Sequence, residues 1–249
     1  MNDTTDKAPP RPSWAIRLRQ LLSPGEEPGA SGRRAFLRSS AAAAVALPAA
    51  ALLGGSAARA ADDGVDDFTR FGNDFRSVRT HEQDHVDFLV KALGANARPE
   101  PTFKNLEQRT VRQFVFVSQA LENTGCGAYV GAAPFIFDRG ILADTATIAL
   151  IEGRHAGWLN DAVGDPITGG RFNNETDRSF EQPFTPDDVG FAIASFVEDL
   201  NGGPAVTYST NPSAENDIAI LNFALALEYL EARFYETNVP QFYRKERRN

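Results

Sequence analysis

A chain of 249 residues, 42 % of them apolar, can bury one sizeable core or two small ones. Its single cysteine excludes an intramolecular disulfide, so stability must come from packing and any metal site must use histidine and carboxylate ligands. The formal charge of −8 disfavours nucleic acid as a partner.

The first sixty residues stand apart from that core. Ser31-Gly-Arg-Arg-Ala-Phe-Leu-Arg38 joins paired arginines to Phe-Leu and a further Arg. An Ala/Leu run follows from Ala41 to Gly55, and Ala58-Arg59-Ala60 has the small-x-small form of a signal peptidase site. The pattern looks like a twin-arginine export signal with a long polar leader, cleaved after Ala60. A membrane anchor is the competing reading, but the run is about 15 residues against the roughly 20 that a span needs. Removing residues 1–60 takes away eight basic and four acidic residues; it leaves 17 against 29, a net charge near −12. The expectation is a periplasmic or extracellular protein with no membrane attachment in its mature form.

Residues 61–72 are polar and Gly/Asp-rich and read as a linker; a domain at 73–240 and a basic tail at 241–249 follow. The first strong helix is predicted over 73–93. Its apolar stripe is Phe75, Val78, Glu82, His85, Leu89 and Ala92, with the three- and four-residue steps of one helix face. Glu82-Gln-Asp-His85 therefore puts a carboxylate and an imidazole on the buried side, one turn apart. His81 lies beside the stripe as a surface or supporting residue. Gly94 stops the helix, and Pro99 and Pro101 keep it from resuming.

A second helix is expected from Phe103 to Gly131, with Val111, Val115, Ser118, Glu122, Gly125, Tyr129 and Ala132 in its stripe. Glu122 is the one charge there. Tyr129 follows two turns later on the same face, where its hydroxyl can hydrogen-bond a ligand from outside the site. Cys126 reads as a small buried thiol among glycines that allow close helix packing. After Pro134, a third helix over 138–160 carries Thr145, Ile148, Glu152, His155 and Leu159 in one stripe, and Glu152-Gly-Arg-His155 repeats the first motif. Residues 161–184 are irregular. Thr185-Pro-Asp-Asp188 opens a short helix to about Leu200, with Val189, Ile193 and Phe196 packing on the outside of a bundle. The last helix, 213–237, aligns Leu221, Leu225, Glu228, Ala232 and Tyr235. Glu231 lies one turn from Glu228 and off the stripe centre, as an outer supporting or surface residue.

Two helices thus offer Glu-x-x-His and two offer a Glu with a Tyr seven residues later. Four glutamates and two histidines would meet in one core. Buried carboxylates cannot all stay ionised beside one another without cations. Two divalent ions supply the four positive charges that neutralise them, and Glu with imidazole suits Fe, Mn or Zn.

This set resembles the ferritin-like superfamily of di-metal carboxylate four-helix bundles. Leu221-Asn-Phe-Ala-Leu-Ala-Leu-Glu-Tyr-Leu-Glu231, Gly127-Ala-Tyr-Val-Gly-Ala-Ala-Pro134 and Glu152-Gly-Arg-His-Ala156 are similar to the exported ferritin-like proteins related to plant desiccation-related proteins. Over residues 68–240 the resemblance implies an all-α four-helix bundle with one extra short helix. It also implies Glu82, His85, Glu122, Glu152, His155 and Glu228 as ligands of two metal ions. In that family the Leu-Glu-Tyr-Leu-Glu helix comes first; here it is last, so the order looks circularly permuted. The last helix then either closes its own bundle or completes a neighbour's by swapping in a homodimer. The expected function is redox chemistry with O₂, H₂O₂ or Fe(II), of ferroxidase, peroxidase or manganese-catalase type. The alternative is a non-catalytic metal-binding or desiccation- and stress-protective protein.

Overall fold

The five helices among the described residues start where the sequence gives their free amide groups a partner, or where packing replaces one. The computed structural model describes residues 68–169 and 179–244. The export signal read in residues 1–60, part of the 161–184 excursion and the end of the basic tail lie outside them. α1 (Gly72–Leu93) grows out of a 3-10 turn, Phe68–Phe71, and has no side-chain cap. Its carboxyl end stops at Gly94, whose positive φ of 54° favours glycine. α2 (Val111–Ala132) begins where Thr110 accepts the Gln113 amide. α3 (Arg139–Ala162) begins where Asp138 accepts the amides of Gly140 and Ile141. α4 (Pro186–Ile193) opens on a reciprocal capping box between Thr185 and Asp188, and α5 (Ala214–Phe242) opens on Ser213.

The chain differs from its sequence pattern in three places. Residues 103–110 are not helical. Thr102–Phe103 (β1) instead pairs antiparallel with Val197–Asp199 (β2), and the helix waits for the Thr110 cap. α4 ends at Ile193 and not near Leu200, because the chain must extend to make β2. The outward-packing residues are nevertheless right: Val189, Ile193 and Phe196 are all buried. α5 continues past Thr237 and through Pro240, whose ring removes one amide donor from the helix. Packing offsets that loss. Phe242 and Tyr243 lie 5.7 and 6.2 Å from the Phe114 ring, and the Tyr243 hydroxyl donates to the Phe68 carbonyl at 3.0 Å.

α1 packs against α5 of the same chain, and α2 against α3. Two apolar clusters fill the bundle between these pairs. One holds Phe75, Val78, Phe114, Leu159, Phe234 and Tyr235; the other holds Leu89, Ile148, Leu221, Leu225 and Tyr129. In α1 and α3 the site glutamate falls where the stripe passes from one cluster to the other. The core is thus two greasy layers with a carboxylate layer between them. No described helix is long and apolar enough to cross a membrane.

Backbone contact ties the second pair to the surface segment at Phe184. The Phe184 amide donates to the Gly127 carbonyl at 2.9 Å, and its own carbonyl occupies the space that a Cβ on Gly131 would need. Gly131→Ala is therefore expected to destabilise the fold by about 1–3 kcal/mol through overpacking. Gly153, exposed in the middle of α3 with open space around it, should gain about 0.5–1 kcal/mol on mutation to Ala. Paired denaturant melts check the contrast, and equal shifts for the two would contradict this packing.

Candidate metal centre

Spacing within each helix brings the acidic layer together. Glu82 and His85 project from α1, Glu122 from α2, Glu152 and His155 from α3, and Glu228 from α5. The four glutamates are at most 1 % exposed and the two histidines at most 8 %. Six residues predicted from separate stretches of sequence thus meet in one buried layer.

They form two groups of four that share two members. Glu82, Glu122, Glu152 and His155 each offer a ligand atom within 4.8 Å of the others, and so do Glu82, His85, Glu152 and Glu228. Glu82 and Glu152 belong to both groups and lie between them. Glu122 with His155 terminates one side, and Glu228 with His85 the other. Each terminal pair joins two helices, so neither Glu-x-x-His motif closes a group alone.

The outer glutamates are held in matching ways. Glu122 accepts the Tyr235 hydroxyl on Oε1 at 2.5 Å, and its Oε2 faces His155 Nδ1 at 3.1 Å. Glu228 accepts the Tyr129 hydroxyl on Oε1 at 2.5 Å, and its Oε2 faces His85 Nδ1 at 3.2 Å. Each tyrosine therefore serves the glutamate of the opposite helix, not the one seven residues before it. The sequence placed both hydroxyls at the right height, but it could not show that they cross.

The shared glutamates are held much less. His85 Nδ1 lies 3.2 Å from each of three carboxylate oxygens, on Glu82, Glu152 and Glu228. One ring nitrogen cannot donate to all three. Both oxygens of Glu152 and Oε1 of Glu82 receive no well-directed hydrogen bond although fully buried; the His155 Nδ1 that stands 3.0 Å from Glu82 Oε1 faces Glu122 instead. Orphaned carboxylate oxygens inside a protein are costly, and a cation is the partner that would satisfy several at once. Gly125 contributes by absence: a Cβ there would stand 2.8 Å from Glu152 Oε2. A glycine in the α2 stripe leaves room for a carboxylate where a side chain would push it aside. The donor set, acidic oxygens with two Nδ1 atoms and no sulfur, fits divalent Fe, Mn or Zn. The residues present therefore fit a metal ion.

Protonation follows from the same crowding. Burial, reinforced by the charge of Glu122, raises Glu82 to about 7. Burial and the charges of Glu82 and Glu122 raise Glu152 well above the usual carboxylate range. For Glu122, burial is outweighed by the charge and hydrogen bonds of its partners, His155 first, and its pKa is lowered. Burial works against the charged imidazoles too, yet carboxylate contacts raise both to about 10. For His85 the main ones are Glu228 and Glu82, and for His155 they are Glu122 and Glu82.

Two residues read as supporting or surface groups lie against the site. Glu231 is 2 % exposed, and its Oε1 lies beside Gly125 near Glu152. It joins neither group of four, and burial with the charges of Glu122 and Glu82 raises its pKa well above normal. His81 is exposed but reaches inward to His155, with Nδ1 3.0 Å from Nε2. No spacing within α1 signals that contact, because its partner is on α3.

The chain matches the ferritin-like domain family over residues 43–165 and 216–248, more than half its length, and it belongs to that family. The two matched stretches contain all six residues of the site and leave out α4. Comparison with curated proteins and with solved structures yields no match.

Linkage gives a test of this charge pattern. With cations removed by a chelator, the Glu82 contribution to stability is present below the unfolded value of 4.5 and lost as pH rises to about 7. The contributions of His85 and His155 are present below 6.5 and lost as pH climbs towards about 10. Chelated protein should therefore melt at steadily lower temperature from pH 6.5 to 10. Divalent metal competes with those protons, so stabilisation by added Mn(II) should grow over the same range. A chelated melting temperature that rises with pH would contradict the arrangement.

Proposed function

We propose that the protein is an exported di-metal protein that carries out redox chemistry with O₂ or peroxide. The observation that carries this reading is the pair of four-residue groups sharing Glu82 and Glu152, in which three buried carboxylate oxygens have no well-directed hydrogen-bond donor. Glu82 and Glu152, common to both groups, would hold the ions together with Glu122 and His155 on one side and Glu228 and His85 on the other. Four carboxylates balance two divalent cations, and a pair of Fe or Mn ions, when bound, supplies the electrons for reduction of O₂ or peroxide.

The chain's own residues set the conditions for that chemistry. Tyr235 and Tyr129 each tie up one oxygen of an outer glutamate and leave the other directed at an imidazole. Their hydroxyls stay protonated, because burial and the nearby Glu122 and Glu228 raise both well above a phenol's ordinary pKa. They therefore remain donors throughout the physiological range. The apolar layers above and below exclude bulk water from the carboxylates. With all six residues so deeply buried, the site suits reactants no larger than a diatomic molecule, a peroxide or a metal ion.

The signal-like pattern of residues 31–60 supports the same reading, since the twin-arginine route exports folded proteins, often with their cofactor already acquired. The wording of the Glu228 and Glu152 helices supports the branch related to desiccation-related proteins, with the Glu228 helix moved from first to last.

Repeated consumption of H₂O₂, or repeated oxidation of Fe(II), by Mn- or Fe-loaded protein is the expected outcome, measured over many equivalents per chain. Uptake that saturates after about two equivalents favours a metal-holding or protective protein instead. Gly125→Ala should lower turnover and metal content together, because its methyl displaces the Glu152 carboxylate. Activity unchanged in that variant would contradict a role for Glu152 in holding the metal.

A further inference from the structure

We propose that His81, outside the six-residue set, is a positioning residue that holds His155 in the one tautomer able to bind a cation. The inference rests on the metal reading above and adds a residue to it.

His155 is turned with Nδ1 towards Glu122 and Glu82, at 3.1 and 3.0 Å, and Nε2 towards His81 Nδ1, at 3.0 Å. The His81 and His155 rings are parallel to within 4°, with centroids 5.2 Å apart. The centroid separation exceeds the N···N distance by nearly two ring radii. The rings therefore meet edge to edge along a hydrogen bond and do not lie face on face.

That bond has only two possible directions. If His81 Nδ1–H donates, His155 Nε2 must accept, and the proton of a neutral His155 ring then sits on Nδ1, facing the carboxylates. Nδ1 then has no lone pair for a cation. If His155 Nε2–H donates and His81 Nδ1 accepts, the Nδ1 lone pair points into the site. Only the second direction is compatible with metal binding. Metal-bound histidines generally have an outer acceptor of this kind, and its loss weakens metal affinity. Here the acceptor is an imidazole on a third helix position, one residue before Glu82, which is common to both groups. The same turn of α1 thereby supplies a shared carboxylate and the clamp for the opposite histidine.

The test compares substitutions of nearly equal size and no charge. Asn places an amide oxygen close to where His Nδ1 sits and keeps the acceptor; Leu has the same shape without it. His81 is exposed, so both variants should fold. The full chain holds only three histidines, so histidine-selective ¹⁵N labelling gives three rings to assign. Zn(II)-loaded wild-type protein should show a ¹⁵N–¹⁵N coupling across the hydrogen bond, with the proton on His155 Nε2. In Mn(II) titrations, His81→Leu should bind about 10- to 100-fold more weakly than wild type, and His81→Asn should recover most of the loss. Metal uptake with no coupling, with the proton on His81, or with equal affinity in all three proteins overturns the role of His81 alone. A wild-type chain that takes up no Mn(II) contradicts the metal centre itself, and the clamp falls with it.

Discussion

Mutual repulsion among buried carboxylates is the constraint on which this molecule turns. Glu82, Glu122, Glu152 and Glu228 occupy one layer almost sealed from water, and Glu231 adds a fifth carboxyl beside them. Among the described residues, the cationic side chains in direct contact with the four are His85 and His155. Protons can relieve part of the repulsion, as the raised pKa values of Glu82 and Glu152 show, but a proton satisfies one oxygen. A multivalent cation satisfies several, and it can do so where oxygens of Glu82 and Glu152 have no well-directed donor. A fold selected for stability alone would have placed apolar side chains in this layer.

The rest of the structure can be understood as support for that layer. Apolar clusters on either side supply the burial that offsets its cost. Two tyrosines, one from each cluster, reach into the layer from opposite directions to anchor the outer glutamates. Gly125 gives Glu152 room, and His81 closes the layer on the solvent side. The strand pair β1–β2 and the buried face of α4 lie outside it, where they join loops and cover apolar surface.

Much of this was legible in the sequence because helical periodicity converts spacing into direction. Glu82 with His85, and Glu152 with His155, could be placed on apolar faces from their own helices alone. So could Glu122 and Glu228. Cross-helix pairing was not legible, since nothing local to α2 says that Tyr129 serves Glu228, or that Tyr235 serves Glu122. The same limit explains Glu231 and His81: a position off the stripe centre reads as outer until a neighbouring helix covers it or reaches across to it. Helix ends were misread where tertiary contact outweighed local signals. β1 took residues that continued the periodicity of α2, and packing on Phe114 carried α5 through Pro240.

The central claim is that this layer holds two metal ions, and metal content per chain tests it most directly. Protein purified from its native host should carry about two equivalents of Fe or Mn by elemental analysis. Glu152→Ala combined with His155→Ala should lose most of that metal. No bound metal in the wild type, with a variant of equal stability, would contradict the account and leave a bundle whose carboxylates are kept neutral by protons.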